Sequence, residues 1–108
     1  MELAFTTKSL RSICESAEEA RRKLGSAVSE KLKRRLADLR AAVSAQDLIA
    51  GHPRELDGVR QRRIALQLAK GYRLLLCPNH SVPPKLESGK LDWAKVSRVK
   101  LLRIESGR

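Results

Sequence analysis

Two arginines on a short apolar hairpin are the side chains of this chain best suited to chemistry. The run Gln61 to Leu76, QRRIALQLAKGYRLLL, reads as two strands joined at Lys70-Gly71. At period two, Ile64, Leu66 and Leu68 take one face of the first strand and leave Arg63 and Gln67 on the other. On the second strand Tyr72, Leu74 and Leu76 alternate with Arg73, Leu75 and Cys77, so Arg73 is expected beside Arg63 on the neighbouring strand. A guanidinium offers several fixed N–H donors to phosphate oxygens and stays charged at any working pH. A sheet face bearing both arginines therefore reads as a phosphate-contacting surface. The same permanent charge makes them poor proton acceptors.

The charge balance points the same way. Lys and Arg number 23 against 12 Asp and Glu, a formal net charge of +11, which calls for a polyanionic or acidic partner, with nucleic acid first. The plain alternative is a solvated basic surface that keeps the chain soluble. Phe5, Tyr72 and Trp93 are the only aromatic residues, so the core must be aliphatic, and stacking platforms for unpaired bases are few. Cys14 and Cys77 lack any metal-ligand spacing and read as free thiols, and no metal or small-molecule cofactor is expected. No apolar run approaches the roughly 20 residues that cross a bilayer, and no signal pattern opens the chain, so a cytoplasmic location without membrane contact is expected. A length of 108 residues with 42% hydrophobic content suits one domain spanning 1–108 with one core.

The elements that must position the arginines follow from capping and periodicity. Glu2 to Thr6 reads as a strand, and Thr6 or Thr7 can cap a helix starting near Lys8, with Leu10, Ile13, Cys14 and Ala17 at helical spacing. Ser16 and Glu19 have the form of a capping box, so a second stretch or a continuation runs to a stop at Gly25. From Ser26 or Ser29 comes the strongest helix, with Leu32, Leu36, Leu39 and Val43 on one stripe. Residues 50–58 read as a connector, Pro78 to Lys95 as a long loop anchored by Trp93, and Ser97 to Glu105 as the last strand. The expected fold is α+β: a small, mostly antiparallel sheet of about four strands with two helices from the N-terminal half on one face. Leu10, Ile13, Leu32, Leu36, Leu39, Ile64, Leu66, Leu74 and Leu76 are the expected core, and first and last strands are far enough apart in sequence to pair in parallel.

Several short motifs in order resemble a known family. Arg54 to Arg60, RELDGVR, is similar to the H-x-L-K-G-D-R segment that opens a hairpin in the HigB-type killer proteins of the RelE/ParE toxin superfamily. Gly71-Tyr72-Arg73-Leu74 resembles their Y/W-R-L on the next strand, and Asp92-Trp93-Ala94-Lys95-Val96 their late D-W-x-x-V. Arg34 to Ala42, RRLADLRAA, resembles their K-R-L-x-x-L-R-A-A helix, so the likeness spans nearly the whole chain.

What the resemblance implies is a RelE-like fold and the toxin of a type II toxin–antitoxin pair, a metal-independent endoribonuclease (mRNA interferase) that cleaves mRNA on the ribosome. Its partners would be a helix-turn-helix antitoxin, the ribosome and mRNA. Such cleavage needs a base for the 2′-hydroxyl, cations for the phosphorane and an acid for the leaving 5′-oxygen. Arg73 and Arg63 suit the second role. Relatives end their last strand with Glu-Asp-Tyr-His, where this chain has Ile104-Glu105-Ser106-Gly107-Arg108, so His52 becomes the expected acid or base, with Glu55 and Glu105 as substitutes. Arg54 stands where many relatives carry a histidine; with Arg60, Arg62 and Lys70 it is expected to flank the RNA groove. The alternative is a non-catalytic RNA- or protein-binding module on the same fold.

Overall fold

A computed structural model describes residues 1–51, 53–56 and 63–106. The order of elements is β1 (Glu2–Phe5), α1 (Lys8–Glu15), α2 (Ala17–Leu24), α3 (Ser26–Ala41), β2 (Arg54–Leu56), β3 (Arg63–Gln67), β4 (Tyr72–Pro78) and β5 (Arg98–Ser106), with short 3₁₀ turns at Ala45–Asp47 and Trp93–Lys95. The class is α+β as the sequence implies. Among the described residues, three helices and five strands replace the expected two and about four.

Each extra element has a local cause. Thr7 caps α1 by accepting from the Leu10 N–H at 3.1 Å. Ser16 then adopts extended backbone, φ −122 and ψ 112, which ends α1, while its hydroxyl accepts from the Glu19 N–H at 3.2 Å and starts α2. Gly25 takes φ 84 and separates α2 from α3, a conformation open to glycine at little cost. The fifth strand is β2, three residues of the stretch read as a connector, paired to the edge of β3. Helix α3 stops at Ala41 because Ala42 turns to φ −69, ψ 141, so Val43 falls off the expected stripe and lies 80% exposed. Pro78, expected to open the loop, instead closes β4 opposite Val99.

The sheet order is β1-β5-β4-β3-β2, with β1 parallel to β5 and every other pair antiparallel. Lys70 and Gly71 both have positive φ, 55 and 78, and the Tyr72 N–H donates to the Ala69 carbonyl, the arrangement of a tight primed turn. Ala69 is an extra residue in this hairpin. With it Leu66 meets Leu74 and Ile64 meets Leu76; without it the register would slip by one and set core residues of one strand against outward residues of the other.

All three helices cover one face of the sheet. Leu10, Ala20, Val28, Leu32, Leu36 and Leu39 pack there against Ile64, Leu66, Leu68, Leu74, Leu76, Val99 and Leu101. Of the expected core only Ile13 departs, being half-buried. Arg35 fastens α3 to the far edge: its Nε donates to the Gln67 carbonyl at 3.4 Å and its Nη1 meets Asp38 at 3.1 Å. Among the described residues no helix is long and apolar enough to cross a membrane.

Candidate nucleic-acid interface

The sheet face opposite the helices carries a group of cations from four strands, although the three helices themselves bear ten Lys and Arg. Register assigns to it Arg54 and Leu56 of β2, Arg63, Ala65 and Gln67 of β3, Arg73, Leu75 and Cys77 of β4, Arg98, Lys100, Arg103 and Glu105 of β5, and Glu2 and Ala4 of β1. Among the described residues, six cations thus share the face with two carboxylates. Its centre is apolar and closed: Ala65 is 1% exposed, and Leu75 and Cys77 are fully buried although they point away from the helical core. Arginine stems lie readily over such a floor while their heads stay in water.

Arg73 and Arg63 are both on this face as the alternation requires, but they are not neighbours. Gln67 stands opposite Arg73, and Arg63 is four residues further along β3, about 13 Å at the usual rise per residue. The expectation of two adjacent arginines is therefore corrected, and the reason is the hairpin register set by Ala69, Lys70 and Gly71. Each arginine nevertheless keeps a buried Nε without a hydrogen-bond partner, a donor held out of water and unused.

The partner of Arg73 lies on the other side, on β5. Glu105 stands directly across from it, and Arg73 Nη2 donates to Glu105 Oε2 at 3.0 Å. Arg103 Nε donates to Oε1 of the same carboxylate at 2.6 Å. These bonds, that from Arg103 foremost, hold the Glu105 carboxyl below the ordinary glutamate range. Glu105 is ionised at neutral pH, a proton acceptor of lowered basicity and a poor acid.

Arg103 is hidden in the sequence because the strand breaks its alternation. Val99 and Leu101 face the core, a bulge follows at Leu102 where the pairing with Leu75 and Leu76 shifts, and from there Arg103 and Glu105 face outward and Ile104 inward. The adjacent Leu101-Leu102 pair followed by Arg-Ile-Glu is the signal that was available.

The other expected residues divide. Arg54 is exposed on β2 and shares the arginine face, opposite Ala65. Lys70 is exposed at the hairpin tip beyond the Gln67–Arg73 pair. Glu55 pairs in register with Ile64, whose side chain belongs to the helical side, and its Oε2 accepts from Trp93 Nε1 at 3.2 Å. That contact ties the 3₁₀ turn at Trp93 to β2 and anchors the long loop, while His80 Nε2 accepts from the Ser97 N–H at 3.1 Å at its base. His52, Arg60 and Arg62 lie outside the described residues. Among those described, no group of three His, Cys, Asp or Glu is arranged to hold a metal ion.

Comparisons with protein-family models, with curated proteins and with solved structures find no match.

Proposed function

We propose that this protein binds RNA through the open sheet face and acts as the toxin of a type II toxin–antitoxin pair, a HigB-type, RelE-like endoribonuclease that cleaves ribosome-bound mRNA without a metal ion. The observation that carries the reading is the face itself, where Arg54, Arg63, Arg73, Lys100 and Arg103 surround a buried apolar floor on the side the helices leave open. Fixed cations on a rigid sheet are what a developing phosphorane requires, because their orientation costs nothing at the moment of reaction. Arg73 is the strongest candidate for that role, being held in place by the cross-strand carboxylate and lying in the stretch Tyr72-Arg73-Leu74 that resembles the toxin motif. His52 is the proton-transfer group the sequence supplies, with the ionised Glu105 as a weaker acceptor. A helix-turn-helix antitoxin, the ribosome and mRNA are the proposed partners.

A second reading, a non-catalytic RNA- or protein-binding module, is favoured by one feature: both oxygens of Glu105 are already committed to guanidinium groups. One experiment decides between them. Induced expression should arrest growth, and purified protein added to a translation mixture should cut mRNA on ribosomes; Arg73→Ala should lower cleavage by on the order of 10²-fold. Arginine-dependent inhibition without any cleavage would leave the binding module standing. Inhibition indifferent to Arg73 would remove both readings.

A further inference from the structure

We propose that the Glu105 carboxylate stands where an RNA phosphate binds, between Arg73 and Arg103, and that a backbone phosphodiester enters this site by displacing it. The inference rests on the RNA-binding reading of the open face and adds to it a site and an internal competitor.

Two guanidiniums from neighbouring strands converge on a single anion, Arg73 Nη2 on Oε2 at 3.0 Å and Arg103 Nε on Oε1 at 2.6 Å. A phosphodiester presents the same pattern, two unesterified oxygens sharing one negative charge, each able to accept one of these charge-assisted bonds. The cations lose nothing in the exchange. Arg73 also has its buried, unpartnered Nε, a donor that the carboxylate leaves unused. The carboxylate can leave, since its side chain is 26% exposed and, among the described residues, its bonds run to the two arginines alone.

The cost of the exchange falls on Glu105, which gives up two ion pairs to water. A single phosphate engaging only this site gains little over the carboxylate it evicts. A strand that also contacts Arg63, Arg54 and Lys100 offsets the loss through those contacts, so Glu105 makes the site selective for polyanions over free phosphate and mononucleotides. Glu2, the other carboxylate of the face, is paired with Arg98 and serves as an internal comparison, because neutralising it changes the net charge equally at a different place.

The test uses the full chain and a fluorescently labelled single-stranded RNA, with anisotropy read across a salt series and inorganic phosphate as competitor. Glu105→Gln and Glu105→Ala, both checked for folding by thermal melting, should tighten RNA binding roughly fivefold at low salt, the worth of two exposed ion pairs. The phosphate occupies the site in parent and variant alike, so the log–log salt slope should differ by less than the roughly 0.7 expected for one added phosphate contact. Inorganic phosphate should compete measurably with the Glu105 variants and not with the parent. Glu2→Gln should move affinity less than twofold. Unchanged or weakened binding in both Glu105 variants, or an equal gain in Glu2→Gln, overturns the competitor role. Arg63→Ala, distant from Glu105, tests the underlying face separately: weakened binding there with no gain from the Glu105 variants removes only the present proposal. Binding indifferent to both Arg63→Ala and Arg54→Ala removes the interface itself.

Discussion

Arg63 and Arg73 project from the same face of the sheet but belong to different cross-strand rows, four residues apart along β3. Arg73 leans toward β5, where Glu105 holds it, and so away from Arg63. If the face binds RNA as proposed, they contact different phosphates and act independently. Sites more than about 7–10 Å apart without shared partners usually add to within about 0.5 kcal/mol. Arg63→Ala and Arg73→Ala should each weaken RNA binding, and the double variant should lose the product of the two factors. A double variant no worse than either single one would mean a shared phosphate and a different path for the RNA.

Much of this arrangement is written in the residues, and the rest is hidden for identifiable reasons. The period-two pattern of Ile64, Leu66 and Leu68 against Tyr72, Leu74 and Leu76 fixes which face carries the arginines. Thr7, Ser16 and Gly25 mark the starts of the three helices and the ends of the first two. The register between the strands is less legible, because the turn residues Lys70-Gly71 fit either a two-residue loop or the form with Ala69 as an extra residue, and only the matching of apolar faces selects the second. Arg103 is hidden by the bulge at Leu102, which inverts the alternation after Leu101. The end of α3 is hidden because Val43 continues the heptad-like spacing of Leu32, Leu36 and Leu39 although the backbone has already turned extended at Ala42. The sequence position of Glu55 suggests a catalytic substitute, yet its register with Ile64 and its bond to Trp93 put it on the helical side of β2.

The Glu105 pairs make stability depend on pH in a definite direction. The folded carboxyl titrates below the ordinary glutamate value of 4.5, so the unfolded chain binds the proton more readily. The stabilisation is fully present above that value and is lost as pH falls through the lower, folded one. Melting temperatures of the parent and Glu105→Gln should differ most near neutral pH, with the variant lower, and should converge as the pH falls below the ordinary glutamate value and through the lower, folded one. A gap that widens on acidification would contradict the pairing.

Gly51 sits at the joint between α3 and the strands that carry the arginines. Its φ is 86, a Cβ built there would approach Arg35 Nε to 2.7 Å and Cδ to 2.9 Å, and its carbonyl accepts from the Gln67 N–H. Gly51→Ala combines an unfavourable backbone with a displaced Arg35, which also bonds the Gln67 carbonyl. A loss of about 1–3 kcal/mol in chemical denaturation is expected. Arg35→Ala in the same background should recover part of it, since it removes the clash.

The Cys14 thiol is half-buried between α1 and the other helices, in a cleft of ≈ 220 Å³ that also involves Ile13, Leu32 and Leu36, and burial pushes it up to about 11. Against the ordinary value of 9.0, its thiolate fraction near pH 8 falls about a hundredfold. Alkylation of the native protein at that pH should be slower than that of a free thiol by about this factor, and unfolding in denaturant should restore the ordinary rate. Fast native alkylation would show the cleft to be open to water.

Substitution of Lys70 separates the hairpin's stability from the RNA binding proposed for this face. It is the only non-glycine residue with positive φ among those described, at the first central position of the turn, where asparagine is far better tolerated. The left-handed backbone costs a lysine roughly 1 kcal/mol. Lys70→Asn should therefore raise stability by about 0.5–1 kcal/mol, read as a higher denaturation midpoint with an unchanged slope. The same change removes an exposed cation at the hairpin tip near Arg73, so RNA binding should weaken a few-fold while the fold becomes firmer. Lys70→Arg keeps the charge without relieving the backbone and should leave both quantities near the parent's. If Lys70→Asn bound RNA as tightly as the parent, the interface would end short of the hairpin tip. If it lowered stability instead, the turn would not be the primed turn described above.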